Sequence, residues 1–452
     1  MHSSDKDRLG SAPIIRLIFS LSVPAIIAQI INALYSIVDR IYISRIPHSG
    51  ALALTGVGIC FPIFILSAAF AVLIGVGGST RAAIELGKKN QEKAEKILGN
   101  SFTLLVLSSV LIMVLFYSGM KPILFLFGAS RNTYPFARDY LTIYLSGTLF
   151  SELAVGLNPF IACQGKSKTA MTSILIGAVL NIILDPVFIF GLHMGVKGGA
   201  VATVISQAFS MLYVTGFLSS QKRTELLLSK KNFMLKKGIV LSILSLGVSS
   251  FIMQVTECLI SVVFNAGLKK YGGDAYVGAM TIIQTVVQLI FILSNGLAQG
   301  VQPVISYNFG AAKVDRVKSA CRFAFISQIT AESVLALLVM IFPGQFALPF
   351  TTDKTLIAIV TRMMPVFVSG LGIFGIQQAA QCAFVGLGQT KIPIFLACFR
   401  KVILLVPLAL ILPHFFGPFG IFVAEPVSDI TSACVSGYLF KKHIDDILHQ
   451  GA

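Results

Sequence analysis

Apolar residues fall in twelve long stretches separated by short polar breaks: 15–44, 51–79, 98–119, 137–161, 170–191, 199–219, 238–267, 275–306, 321–343, 356–386, 392–412 and 419–440. About twenty apolar residues suffice to cross a ~30 Å hydrocarbon core as a helix. The pattern therefore predicts an all-α membrane protein with twelve transmembrane helices. Composition agrees: of 452 residues 55% are hydrophobic and 12% charged, against the ~25% charged that is usual in soluble domains. Soluble enzymes and nucleic-acid binders are thereby poor readings.

Charge then orients the spans. The net charge is +16, from 35 Lys+Arg and 19 Asp+Glu. With a cytoplasmic N-terminus, 23 of the basic residues fall on inside segments and ten on outside ones, while Arg400 and Lys401 lie within the eleventh span. An inside excess of this kind predicts both termini in the cytoplasm, here of a plasma (inner) membrane. The polar start, Met1 to Ser11, does not read as a cleaved signal peptide. The division expected is a cytoplasmic N-terminus at 1–14, a first lobe at 15–220, a Lys-rich cytoplasmic linker at 221–237, a second lobe at 238–440 and a cytoplasmic tail at 441–452. Seven cysteines (Cys60, Cys163, Cys258, Cys321, Cys382, Cys398, Cys434) are scattered without a Cys-x-x-Cys pair, which predicts neither a disulfide framework nor a zinc site. Gln164-Gly-Lys-Ser167 imitates the end of a phosphate loop, but Phe160 stands where its first glycine is needed, so no nucleotide-driven pump is expected.

The chain is one unit written twice. A shift of 223 residues lays Gly77 on Gly300, Gly87 on Gly310, Gly147 on Gly370, Gly165 on Gly388 and Lys168 on Lys391; a shift of 222 lays Gly195 on Gly417 and Gly198 on Gly420. Six spans per half make the repeat parallel. Two like-oriented bundles flanking a central cavity suit a transporter that alternates access by rocking one bundle against the other; a channel more often assembles its pore from several chains. Gly75, Gly77, Gly78 and Gly87 in the first half, and Gly296, Gly300 and Gly310 in the second, also have a plainer use, since they let helices approach closely.

Acids within the spans are candidate functional sites by default. Asp39, Glu152, Asp185, Glu257, Glu332, Glu425 and Asp429 are so placed. Asp185 lies roughly 24 Å along its helix from the cytoplasmic start, Asp39 is similarly late in an outward-running helix, and Thr203 begins an inward-running one. Asn181 precedes Asp185 by four residues and so shares its helix face. Two carboxyls, an amide oxygen and a hydroxyl at one depth suit a hard cation, or a proton shared between acids. The second half lacks this set: Asp39 maps to Val262, Asn181 to Leu404 and Asp185 to Leu408. Glu257 and Glu425, beside Gln254 and Thr256, form a second candidate cation or substrate site. Glu152 and Glu332 are candidates to pair with Lys or Arg, and Arg400 and Lys401 are available as such partners. Pro24, on the Asp39 helix, removes a backbone bond and predicts a kink or hinge. The 35 Phe and 12 Met, with no Trp, can line an adaptable apolar cavity.

Tyr35-Ser-Ile-Val-Asp39, Leu180-Asn-Ile-Ile-Leu-Asp-Pro-Val-Phe-Ile-Phe190, the glycines from Gly75 to Gly87 and Gly300-Val-Gln-Pro-Val-Ile-Ser-Tyr-Asn-Phe-Gly310 resemble the multidrug and toxic compound extrusion (MATE) family over essentially the whole chain. The likeness is nearest to prokaryotic branches with an ion site in the N-lobe. It implies two six-helix lobes in a V around a central cavity, and a secondary antiporter that exports mostly cationic, amphipathic organic compounds in exchange for inward H⁺ or Na⁺. No enzyme activity, cofactor or nucleic acid is implied; the partners are small-molecule substrates and membrane lipid, and the chain is expected to work as a monomer. By the resemblance Asp39, Asn181, Asp185 and Thr203 match the coupling site, where Na⁺ is the candidate metal. Tyr140 matches a fourth-helix tyrosine near it and Pro24 the bend of the first helix. Glu257 matches a seventh-helix glutamate of another branch, whose tenth-helix acid is replaced here by Phe374. The alternative is a flippase for a lipid-linked sugar or other lipid precursor, for which Arg400, Lys401 and Arg362 would supply basic charge; a membrane-embedded hydrolase lacks any His-Glu-x-x-His or nucleophile motif.

Overall fold

The computed structural model describes residues 8–47, 49–351 and 353–450, apart from the side chains of Cys258 and Gln450. The first seven residues of the predicted N-terminal segment, and Cys258 among the cysteines, lie outside the described residues. Each of the twelve apolar stretches is helical, in one to three consecutive segments. Among the described residues nine helices are long and apolar enough to cross a membrane, and two bent pairs bring the number to eleven. The last stretch lies in Pro418–Gln450, helical throughout but interrupted in its apolar half by Glu425 and Asp429. The chain is thus a multi-pass membrane protein. Its outward side chains fit that solvent: Leu111, Val114 and Leu241 are among many large apolar residues left exposed.

The two bent pairs occupy matching places in the repeat. Tyr134–Ser146 meets Thr148–Ala162 at 57°, and Lys354–Val368 meets Leu371–Gly386 at 46°. Gly147 and Gly370 stand at the breaks. A Cβ on Gly147 would come 2.5 Å from Val204, and one on Gly370 2.8 Å from Pro426, so the sharp approach needs a residue without a side chain. Val204 and Pro426 are themselves related by the shift of 222. Left-handed backbone recurs in the same way, at Lys89 (φ 58°) and Ala312 (φ 55°), each two residues past the end of its helix, Gly50–Gly87 or Asp274–Gly310.

The chain divides into two compact units, Ile27–Phe251 and Met1–Ile26 with Ile252–Ala452. The boundaries fall inside the first and seventh helices, whereas the halves of the repeat meet at 221–237. Within the C-terminal unit, Leu9, Leu17, Ile18 and Leu21 share a buried cluster with Val301, Val304, Ala383 and Phe384. Ser22 Oγ donates to the Leu297 carbonyl, and a Cβ on Gly300 would lie 2.1 Å from that hydroxyl. Within the N-terminal unit the start of the seventh helix plays the matching part: Phe251 packs edge-on against Phe70, and Gly247 sits so close to Leu73 that a Cβ would fall 1.8 Å from its carbonyl oxygen. The linker is bonded to this N-terminal unit. Gln164 Oε1 accepts from the Glu225 amide and the Thr224 hydroxyl, and Asn100 Oδ1 accepts from the Lys236 amide. The run that imitates a phosphate loop is therefore a clasp for the linker.

Gly247→Ala should lower the unfolding free energy by about 1–3 kcal/mol, the usual cost of overpacking, because backbone rather than a flexible side chain must give way. Gly216→Ala, in a helix position with open space around it, should be neutral or slightly stabilising. Unfolding midpoints of the two variants in detergent check this; equal midpoints would show that the seventh helix does not pack as described.

Candidate functional site

Four helices of the N-terminal unit bring the acid set together. Asp39 comes from the last two turns of Ile14–Ser44, Asn181 and Asp185 from Ser167–Pro186, Thr203 from Val196–Leu218, and Tyr140 from Tyr134–Ser146. Asp185 and Asn181 lie one turn apart and both are buried, as is Tyr140. Asn181 Nδ2 donates to Asp185 Oδ1 at 3.5 Å and to Thr203 Oγ1 at 3.3 Å, while the Thr203 hydroxyl donates to the Gly199 carbonyl at 3.0 Å. The carboxyls of Asp39 and Asp185 are within hydrogen-bonding contact of each other, and Tyr140 contacts Thr203. Gly199 faces Asp39, where an added Cβ would stand 3.6 Å from Oδ1. The helix that carries Asp185 ends at Pro186 and runs on as the π-helical stretch Val187–Gly191, a local widening that recurs at functional sites.

Three buried oxygens here have no hydrogen-bond partner: Asp39 Oδ1, Asn181 Oδ1 and Asp185 Oδ2. Two carboxylates in contact repel unless a proton or a cation lies between them, and a buried acceptor left unpaired is costly. The set thus has both the charge and the free acceptors that a proton or a hard cation such as Na⁺ requires. Tyr35 was not among the candidates. It lies four residues before Asp39 and interacts electrostatically with both acids; its position on the same helix face was the available signal.

The remaining candidates divide between the two units. Glu152, in the N-terminal unit, accepts from the Ser67 and Ser108 hydroxyls at 3.1 and 3.2 Å, and Glu332, in the C-terminal unit, from Ser294 at 2.6 Å. Both take hydroxyl partners rather than a Lys or Arg in these bonds. Arg400 and Lys401 are instead bonded to the other acids. Arg400 binds Asp429 and Glu425 at 2.7 and 2.8 Å, and its guanidinium lies 4.1 Å from the centre of the Phe374 ring. Lys401 binds Glu257 and the Met253 carbonyl. Glu257 and Glu425 each meet a cation from the chain itself, and both line one cavity, whose wall does not include Gln254, half-buried one turn before Glu257. Asp429 is the member of this group whose place within a span was evident from the sequence but whose partner was not.

Replacing Arg400 by Met should destabilise the protein by about 3–5 kcal/mol, because Glu425 and Asp429 would be left buried without their partner. Adding Glu425→Gln and Asp429→Asn should restore most of the loss. Thermal unfolding of the single and triple variants decides: a triple variant no more stable than the single one would mean that Arg400 acts through packing alone.

The family model described as MatE matches residues 24–187 and again 249–411, once in each half of the repeat. The chain is 26% identical over 426 residues to the multidrug export protein MepA of Staphylococcus haemolyticus (strain JCSC1435), a match that covers 94% of this chain and 93% of that protein. It is 25% identical over 415 residues to the probable multidrug resistance protein YoeA of Bacillus subtilis (strain 168), covering 90% and 89%. Among solved structures, a MATE protein crystallised in a bent conformation superposes with a TM-score of 0.93 at 23% identity, over 100% of both chains, and so shares the fold.

Proposed function

The chain belongs to the MatE family of membrane transporters, and from that premise we propose that it is a secondary antiporter. It exports organic, mostly cationic and amphipathic compounds in exchange for inward H⁺ or Na⁺. The observation that carries this reading is the set of unpartnered oxygens on Asp39, Asn181 and Asp185. An ion entering from outside neutralises the carboxyl pair and takes up those acceptors; its departure leaves two acids in contact that must be neutralised again before the cycle can repeat. Thr203 steadies the Asn181 amide, and Tyr140 closes the wall beside it. Pro24, fifteen residues earlier on the Asp39 helix, lacks the backbone N–H of a regular turn, so that helix can bend there as the site fills. Acids and hydroxyls serve either ion, and the gradient experiment below names which one is used.

The same reading places the protein in the plasma membrane with both termini in the cytoplasm, working as a monomer on small-molecule substrates. A lipid-linked sugar would need free basic charge for its pyrophosphate. Arg400 and Lys401 are bonded to carboxyls, and Arg362 lies exposed on its helix. The cation exporter is therefore the better fit.

Efflux of a fluorescent organic cation from proteoliposomes, with Na⁺ and pH gradients imposed separately, tests the proposal. Export should follow one gradient, and Asp39→Asn and Asp185→Asn should each reduce it to the level of empty liposomes while the purified variants unfold at the wild-type temperature or above. Normal export in both variants would sink the coupling role of these acids.

A further inference from the structure

Arg400 and Lys401 are consecutive residues, yet both are buried, at 4% and 5% exposure. They lie in Phe399–Leu405, where the helix widens to π-helical geometry, a feature enriched at functional sites. Between them they bind three carboxyls. Arg400 takes Glu425 and Asp429, and Lys401 takes Glu257. With all five groups ionised, the cluster carries one negative charge in excess. Glu332, bonded to the Ser294 hydroxyl, is a neighbour of this group and interacts electrostatically with Arg400 and Asp429.

A cavity of about 70 Å³ adjoins the cluster, and its wall includes Glu257 together with Phe264, Phe291, Phe367, Gln284 and Gln288. Ring faces attract cations, the amide oxygens accept hydrogen bonds, and the carboxylate supplies the charge. The two partners of the Lys401–Glu257 pair are unequally placed: the Glu257 side chain is 59% exposed and that of Lys401 only 7%. A cation arriving in the cavity meets the carboxylate from the open side.

We propose that this cavity is a subsite for the head group of an organic monocation, which binds by taking Glu257 from Lys401. The inference rests on the reading of the protein as an exporter of organic cations. On exchange Lys401 keeps the Met253 carbonyl, 3.0 Å away, and turns toward Glu425 and Asp429, with which it already interacts. Asp429 Oδ2, buried and without a hydrogen-bond partner, is a ready acceptor. Charge then balances on both sides: Lys401 cancels the excess on the Arg400–Glu425–Asp429 group, and the ligand cancels Glu257. Lys401 is thus a resident cation that holds the site closed until a stronger competitor arrives, and Phe374, stacked on the guanidinium, holds Arg400 in place while the exchange occurs.

Equilibrium binding of phenyltrimethylammonium, whose compact quaternary head group matches the cavity, to the purified full-length protein, run beside its export from proteoliposomes, tests the exchange. Glu257→Gln should weaken binding about tenfold, Phe291→Ala about threefold, and Lys401→Met should tighten it by removing the competitor. Should Lys401→Met fail to fold, Lys401→Gln removes the same competing charge while keeping a polar side chain, and it should also tighten binding. Unchanged affinity in Glu257→Gln while the wild type exports the cation would overturn the subsite and leave the exporter standing. Weaker binding in a folded Lys401→Met would overturn the exchange, and a wild type that neither binds nor exports the cation would overturn both readings.

Discussion

Charge inside a hydrocarbon layer must find a partner, and most of the polar architecture of this protein follows from that constraint. The two compact units meet it in different ways. In the C-terminal unit the partners belong to the chain: Arg400 lies between Glu425 and Asp429, and Lys401 reaches Glu257. In the N-terminal unit Asp39 and Asp185 face each other, and the Asn181 amide donates to Asp185 alone of the two, with acceptors to spare. The first arrangement is self-sufficient in charge or nearly so, while the second leaves Asp39 Oδ1 and Asp185 Oδ2 without a hydrogen-bond partner from the chain. A duplicated scaffold has come to hold two distinct electrostatic devices.

What the two halves still share is backbone. The bends at Gly147 and at Gly370, the contacts of those glycines with Val204 and Pro426, and the left-handed turns at Lys89 and Ala312 repeat at the same spacing as the glycines in the sequence. Side chains have diverged around them: Asp39, Asn181 and Asp185 answer to Val262, Leu404 and Leu408. Lys89 and Ala312 make the point well, because neither is a glycine and an L-residue tolerates that conformation only at some cost. The turn has persisted although nothing in the type of residue favours it.

Helix positions were legible because a bilayer demands about twenty apolar residues per crossing, and all twelve stretches are helical. The breaks within 137–161 and 356–386 were not, since Gly147 and Gly370 lie within apolar runs that nothing in their composition interrupts. The helices also extend past their apolar stretches, to Gln91 at one start and Gln450 at one end, where polar turns continue in water and hydropathy has nothing to report. The acid set of the N-terminal unit was legible from two facts, the four-residue spacing of Asn181 and Asp185 and the shared depth of Asp39 and Thr203. The ion pairs of the C-terminal unit were only half legible: Arg400 and Lys401 were conspicuous, but their division among three acids depends on a π-helical stretch that turns adjacent side chains inward, and no spacing rule encodes that.

The compact units are not contiguous in sequence: Ile14–Ile26 packs with the C-terminal unit, and the start of the seventh helix, through Phe251, packs with the N-terminal one. A ribosome delivers the chain from its N-terminus, so order of synthesis and order of packing conflict. The first helix enters the membrane with part of its surface matched to residues that do not yet exist, and the N-terminal unit lacks a wall at Leu73 and Phe70 until translation has passed the linker. Completion of both units is therefore a late event in biogenesis, and a chain that stops at the linker leaves neither of them whole.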